Sequence, residues 1–300
     1  MKKTSLSFVI SSLLLLSFNT QAETFETHAS ISVINKPLLS IEEVAKIKVH
    51  GIDGVEDYIQ LGDFYSYNKE YRDTFEAFNH YKKASVLGSE YATLMLGYMT
   101  YKGYGTDKNI FKGEHLLRNV KKPYDKNALY VLGKLYVENG EREKAIDIFK
   151  VIKDPQSYTY LTKSLIQLNR FDEAIPYLNW LIEEENDSYA KRELALIYFR
   201  PDFKNESKAV SLMTSSAEQG DSIAQYQLGL YYQQGTKTTI ANMKKAVRWY
   251  TIASQNNNSF ATQELLKIWN ENLAYDNKYG IDNDPYLIKI VSDQYVKEHH

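Results

Sequence analysis

The sequence predicts an all-α solenoid of antiparallel helix pairs, and three observations carry that prediction. A leucine followed by a small residue, with an aromatic three positions beyond that, recurs at Leu61-Gly62 with Tyr65, Leu132-Gly133 with Tyr136, Leu194-Ala195 with Tyr198 and Leu228-Gly229 with Tyr232. Leu96-Gly97 belongs to the set with Thr100 in the aromatic slot, and Leu265 with Trp269 is a weaker copy in which Leu266 replaces the small residue. The intervals are 35, 36, 62, 34 and 37 residues, so the long one hides a diverged unit near 157–184. A fixed period of this length is the signature of a repeat array. The second landmark is another small residue opening a further apolar stripe, at Ala77, Gly113, Ala145, Ala174, Ala209 and Ala246. The third is spacing: Lys245 through Ala253 and Lys208 through Ala217 place their apolar residues at helical intervals.

Each unit therefore reads as two helices, A and B. A glycine inside a helix costs about 1 kcal/mol relative to alanine, so its recurrence on helix A needs a packing reason. Gly62, Gly97, Gly133 and Gly229 are expected to open gaps into which a neighbouring helix fits. One pair cannot bury both stripes alone, and stacking of neighbours gives a continuous core. Gly88, Gly103, Gly105, Gly140, Gly220 and Gly235 all fall between the expected helices. Ser40-Ile41-Glu42-Glu43 reads as a capping box opening a short helix to about His50, with Gly51 as its stop. Pro176 is expected near the start of its helix, where proline is tolerated. Asp284-Pro285 would open a last helix, and residues 23–39 read as an extension.

The extreme N-terminus reads as an address. Lys2 and Lys3 precede an apolar run from Leu6 to Phe18, and Thr20 and Ala22 fit the small positions before a cut, which places cleavage after Ala22. The run is shorter than the roughly twenty residues that a membrane span needs. The mature chain would carry 34 basic and 38 acidic residues, a balance of −4 without the basic face that nucleic acid requires. The chain has no cysteine, so no disulfide supports the exported fold and no lipidation site follows the signal. The expected localisation is periplasmic or secreted.

The residues resemble the Sel-one-like repeats, long-loop relatives of the tetratricopeptide repeats. One match runs from Gly88-Ser89-Glu90-Tyr91-Ala92 through Leu96-Gly97 to Gly103-Tyr104-Gly105, with Asn109 and Gly113 following. Another runs from Gln219-Gly220-Asp221 through Leu228-Gly229-Leu230-Tyr231-Tyr232 to Gly235 and Lys245-Ala246-Val247. Units near 125–152 and 157–184 have shorter loops and look more like plain tetratricopeptide repeats. Lys237 and Leu266 depart from the pattern. The resemblance implies a right-handed superhelical solenoid. The chain divides as 1–22 signal peptide, 23–55 extension with a capping helix, 56–270 repeats and 271–300 C-terminal capping segment.

Chemistry is sparse. His28, His50, His80, His115, His299 and His300 form no metal spacing, and no nucleophile elbow or phosphate-cradling loop occurs. Neither Asp53, Glu56 and Asp57 nor Asp276, Asp282 and Asp284 have calcium-loop spacing. No cofactor and no catalysis are expected. The 25 tyrosines are the one excess. The resemblance implies a concave surface lined by helix-A positions two before and two after the leucine, which here are Ile59 and Asp63, Leu94 and Tyr98, Tyr130 and Lys134, Arg192 and Leu196, Tyr226 and Leu230, and Gln263 and Lys267. Tyr98, Tyr130, Lys134, Arg192, Tyr226 and Lys267 would make an aromatic and basic partner-binding face. The leading expectation is an exported interaction scaffold or adaptor of the bacterial envelope, with exopolysaccharide assemblies among the family's precedents and a protein as partner. The alternatives are a carbohydrate-binding helical protein and a secreted host-interaction factor. Asp63 is the only acid among those positions, so glycan hydrolysis, which needs paired acids, is disfavoured.

Overall fold

The computed structural model describes residues 38–52, 54–236, 239–274 and 288. The signal peptide, most of the N-terminal extension, Lys237 and the helix expected from Asp284 lie outside the described residues. Among the described residues there are fourteen helices and no strand, an all-α repeat solenoid. The chain divides into two compact units at Arg170/Phe171. The first holds α1 (Ile41–His50), α2 (Val55–Tyr67), α3 (Thr74–Val86), α4 (Glu90–Lys102), α5 (Ile110–Arg118), α6 (Asp125–Glu138), α7 (Arg142–Ile152) and α8 (Pro155–Gln167). The second holds α9 (Phe171–Glu185), α10 (Ser188–Tyr198), α11 (Glu206–Glu218), α12 (Ser222–Gln234), α13 (Met243–Gln255) and α14 (Ser259–Ala274). The diverged unit near 157–184 thus has its two helices on either side of that boundary.

The glycine gaps are occupied as the sequence implies, and the structure names the occupant. A Cβ on Gly62 would lie 2.7 Å from the Tyr81 ring, on Gly97 2.9 Å from Leu117 Cγ, and on Gly133 2.7 Å from the Phe149 ring. Gly229 is closed in the same way by Tyr250. Tyr81, Leu117, Phe149 and Tyr250 each stand four residues after the small residue of their helix B, and all are buried. The small residue leaves room for helix A, and the large one a turn later fills the gap that helix A opens. In the α4/α5 pair the contact is doubled, because a Cβ on Gly113 would meet Tyr101 Cβ and backbone N at 2.6 Å.

Loops of different length close on one hydrogen bond. The backbone N–H of the residue that precedes helix B donates to the carbonyl of the aromatic-slot residue of helix A: Asp73 to Tyr65 (2.9 Å), Asn109 to Thr100 (2.9 Å), Glu141 to Tyr136 (2.8 Å), Asn205 to Tyr198 (3.1 Å) and Asn242 to Tyr232 (2.7 Å). A long loop must fold back to reach that point. Gly103 does so in the left-handed region at φ 81°, and Gly105, at φ 68°, packs directly on the Thr74 carbonyl where any side chain would collide.

The capping box at Ser40 forms with Glu43, and Gly51 closes α1 at φ 92°. Pro176 differs from expectation. Helix α9 begins at Phe171, so the proline stands in its second turn rather than near its start, and the Asp172 carbonyl receives no intrahelical N–H from it.

Candidate functional site

The expected binding residues fall in both units. Within the first unit, Tyr98 is 2% exposed and packs edge-on against Tyr104 with ring centroids 5.9 Å apart. Tyr130, also buried, packs edge-on against Tyr160 (5.5 Å) and Phe149 (6.0 Å). Lys134 is 6% exposed, and its Nζ lies 5.5 Å over the Tyr160 ring and 6.0 Å over Tyr130. Lys163 approaches the same Tyr160 ring at 5.5 Å. The structure therefore brings Tyr130 and Lys134 together and adds Tyr160 and Lys163 from α8, a half-buried tyrosine with two ammonium groups within 5.5 Å of its centroid. The repeat register alone does not find Tyr160, because α8 belongs to the unit whose leucine-glycine signature has been lost.

Asp63 is buried and accepts hydrogen bonds from the hydroxyls of Tyr81 (2.7 Å) and Tyr91 (2.8 Å). Burial pushes its carboxyl up to about 6, against the two hydroxyl bonds that favour its charged form. The tyrosines around it are raised by the same burial. Position two after the leucine thus holds a structural acid here.

In the second unit, Arg192 pairs with Asp221 and with Glu193 Oε1 (3.0 Å), and its guanidinium lies 5.2 Å over the Tyr189 ring. Asp221 also caps α12 through the Ile223 and Ala224 amides, so Arg192 ties α10 to the start of the next helix A. Burial opposes the Arg192 charge, but Glu193 and Asp221 outweigh it and hold its pKa above the usual value. Tyr226 is buried against Tyr250 and Phe260, and burial pushes its hydroxyl up to about 12. Lys267 differs, with its side chain 65% exposed and bonded to Glu264.

Lysine also sits on tyrosine elsewhere, in the repeat register itself. Lys144, Lys208 and Lys245 each immediately precede the small residue of helix B, and their Nζ atoms lie 5.3, 4.9 and 5.0 Å over Tyr136, Tyr198 and Tyr232. Tyr136 is fully buried, while Tyr198 and Tyr232 are half-buried under these ammonium groups. The Lys-Ala dipeptides at 144–145, 208–209 and 245–246 are the sequence signal for this contact. In the first pair Glu76 holds the lysine position, and Lys48 of α1 lies over Tyr65 instead, at 5.5 Å.

Among the described residues no group of three or more His, Cys, Asp or Glu could hold a metal ion, and no helix is long and apolar enough to cross a membrane.

A family model described as Sel1 repeat matches residues 56–89, 188–221 and 222–258, and one described as anaphase-promoting complex, cyclosome, subunit 3 matches residues 104–181. Among solved structures, the chain is similar to c5321, a protective antigen of uropathogenic Escherichia coli strains with an SLR fold. That match has 23% identity and a TM-score of 0.53, and it covers 85% of this chain and 59% of the other. A Sel1 repeat protein from Oxalobacter formigenes is similar at 20% identity and TM-score 0.47, over 83% of this chain and 99% of the other. No protein of curated function matches the sequence.

Proposed function

Because this chain is a Sel-one-like repeat protein, we propose that it works as an exported interaction scaffold or adaptor of the bacterial envelope, with a protein partner held on the helix-A face. The observation that carries the reading is the cluster of Tyr130, Lys134, Tyr160 and Lys163, in which two lysines stand over one half-buried ring. An aromatic ring supplies contact area at low entropic cost, and the half-buried Lys163 beside it favours carboxylates on the partner. Arg192, Tyr226 and Lys267 hold the same register positions within the other unit. Of these, Lys267 is the most exposed, and Arg192 contributes by fixing the α12 start. An assembly that exports polysaccharide is one setting for such an adaptor.

The test is crosslinking capture from an envelope fraction, run in parallel with wild type and a Tyr160→Ser/Lys163→Glu variant whose helicity is verified by circular dichroism. A discrete partner captured by wild type and lost by the variant is expected. Absence of any discrete partner, or its equal recovery on the variant, overturns the reading. Glycan binding is the competing reading, supported by the tyrosine excess, and a glycan array with wild-type protein separates the two.

A further inference from the structure

Among the described residues, the first helix pair has a stacking face that α1 covers only in part. The register shows where that face is. In three of the later pairs, the residue three before the helix-A leucine meets the residue eight after the small residue of the preceding helix B. Thr93 and Ser85 share a hydroxyl hydrogen bond (2.7 Å), Gln225 Nε2 donates to the Ala217 carbonyl (2.8 Å), and Thr262 and Ser254 share a hydroxyl bond (2.6 Å). In α2 this position is Tyr58. The element before it is α1, whose one buried residue is Val44 and whose Lys48 reaches the Tyr65 ring.

Beside Tyr58 a cleft remains, lined by Tyr58, Glu76, His80, Lys83, Val86 and Leu87 with neighbours including Lys82. His80 stacks on Tyr65 (5.8 Å, 7° between planes) and tilts against Tyr58 (6.0 Å), so the two rings that line the cleft, Tyr58 and His80, are joined to a third that does not. Lys83 Nζ lies 5.4 Å over Tyr58. On the rim Val86 is 82% and Leu87 58% exposed, two adjacent apolar side chains in water at the end of α3. Lys82 and Lys83, with Lys48 nearby, outweigh the single carboxylate of Glu76, so the wall is positive.

We propose that this cleft is a second docking surface, separate from the helix-A face, and that its occupant is an acidic amphipathic helix of a partner protein standing where a preceding helix B would stack. Helical shape follows from the register, since in three of the later pairs the equivalent position is met by a helix. The sign of the charge follows from Lys82 and Lys83, and the apolar stripe from Val86 and Leu87. A second copy of the chain fits poorly, because a two-fold pairing of this face would set the same lysines against one another.

The probe is a side-chain-stapled, fluorescein-labelled helix of about 13 residues, the length of α3, with glutamate on one face and leucine on the other. Stapling is needed because free helices of this length are marginal in water. Fluorescence anisotropy against the full chain is expected to show this peptide binding at least about tenfold more tightly than its twin with lysine in place of glutamate. Lys82→Glu/Lys83→Glu should weaken binding about tenfold and reverse the preference, and Val86→Ser/Leu87→Ser should weaken it by a similar factor. All four side chains are exposed, so the fold should survive, and circular dichroism verifies that it does. Tyr160→Ser/Lys163→Glu, on the helix-A face, should leave the affinity unchanged, which keeps the two surfaces distinguishable. No binding, equal binding of the two peptides, or binding indifferent to the Lys82/Lys83 reversal overturns the proposal. So does flotation of the protein with anionic phosphatidylglycerol vesicles in the absence of peptide binding, which would assign the positive wall to a membrane surface.

Discussion

Replacing Gly113 with alanine tests the packing logic of the array where a helix-B glycine meets the backbone of helix A. The added Cβ would lie 2.6 Å from Tyr101 Cβ and backbone N and 2.7 Å from its Cα, where ordinary carbon contacts are about 3.5–4.0 Å. Because the obstacle includes backbone, α4 and α5 must separate by about 1 Å, and no side-chain rotation relieves the collision. Tyr101 cannot drift freely, since it is buried and Asn139 Nδ2 donates to its hydroxyl at 2.5 Å from the following turn. Overpacking of this kind costs about 1–3 kcal/mol, while alanine returns about 1 kcal/mol of helix propensity. The net expectation is a loss of about 1–2 kcal/mol. Gly97→Ala, in the partner helix, gains the same propensity but meets mainly the side chains of Leu116 and Leu117, with Leu117 Cγ at 2.9 Å, and these can adjust. It should lose less. Urea denaturation of both variants, followed by far-ultraviolet circular dichroism, measures the two midpoints. A Gly113→Ala protein as stable as wild type, or more stable than Gly97→Ala, would refute the claim that the small residue on helix B sets the interhelical distance.

Asp63→Asn tests the buried acid. The folded-state pKa of Asp63 is raised from 3.8 to about 6, so the folded chain binds this proton more tightly than the unfolded chain. Its contribution to stability is therefore greatest below pH 4, is lost as pH rises through 4 to 6, and above that leaves an ionisation cost with a ceiling of about 3 kcal/mol. Asparagine keeps an oxygen to accept from Tyr81 and Tyr91 and removes the charge. At pH 7.5 the variant should be about 1–2 kcal/mol more stable, with a flatter profile between pH 4 and 6, and a lower urea midpoint with an unchanged slope counts against this account. Lys245→Gln removes the ammonium over Tyr232 and should cost about 0.5 kcal/mol, read as a small fall in melting temperature, whereas a rise would show that the contact carries no stabilisation. Expression of the full chain followed by N-terminal sequencing of the extracytoplasmic fraction should return a chain beginning at Glu23, and retention in the cytoplasm with Met1 or Lys2 in place removes the envelope setting.

The repeat was legible because it is written in residues whose effect is local. A glycine one position after a leucine, and a small residue opening the next helix, act through backbone approach within one helix pair. Asp73, Asn109, Asn205 and Asn242 act within one turn as caps. Such features need no knowledge of distant residues, and the period, the glycine gaps and the Ser40 capping box follow from the chain alone. Pro176 was misplaced because a helix start depends on how the preceding turn closes, here with Arg170 N–H donating to the Leu165 carbonyl at 2.9 Å.

Tertiary structure decided what the helix-A face presents. Neighbouring rings cover Tyr98, Tyr130 and Tyr226, and only Lys267 among the six named residues is largely exposed. Arg192 finds its partner Asp221 29 residues away, and Lys134 finds Tyr160 across the stack from α6 to α8. Burial of a side chain on a repeat surface is set by the size of what the next unit places against it, and that depends on stacking distance rather than on the residue itself. The same reason explains α1. Its sequence declares a capped helix, while its role of supplying Lys48 to a tyrosine whose own helix B carries Glu76 exists only once α1 and the first pair are packed together.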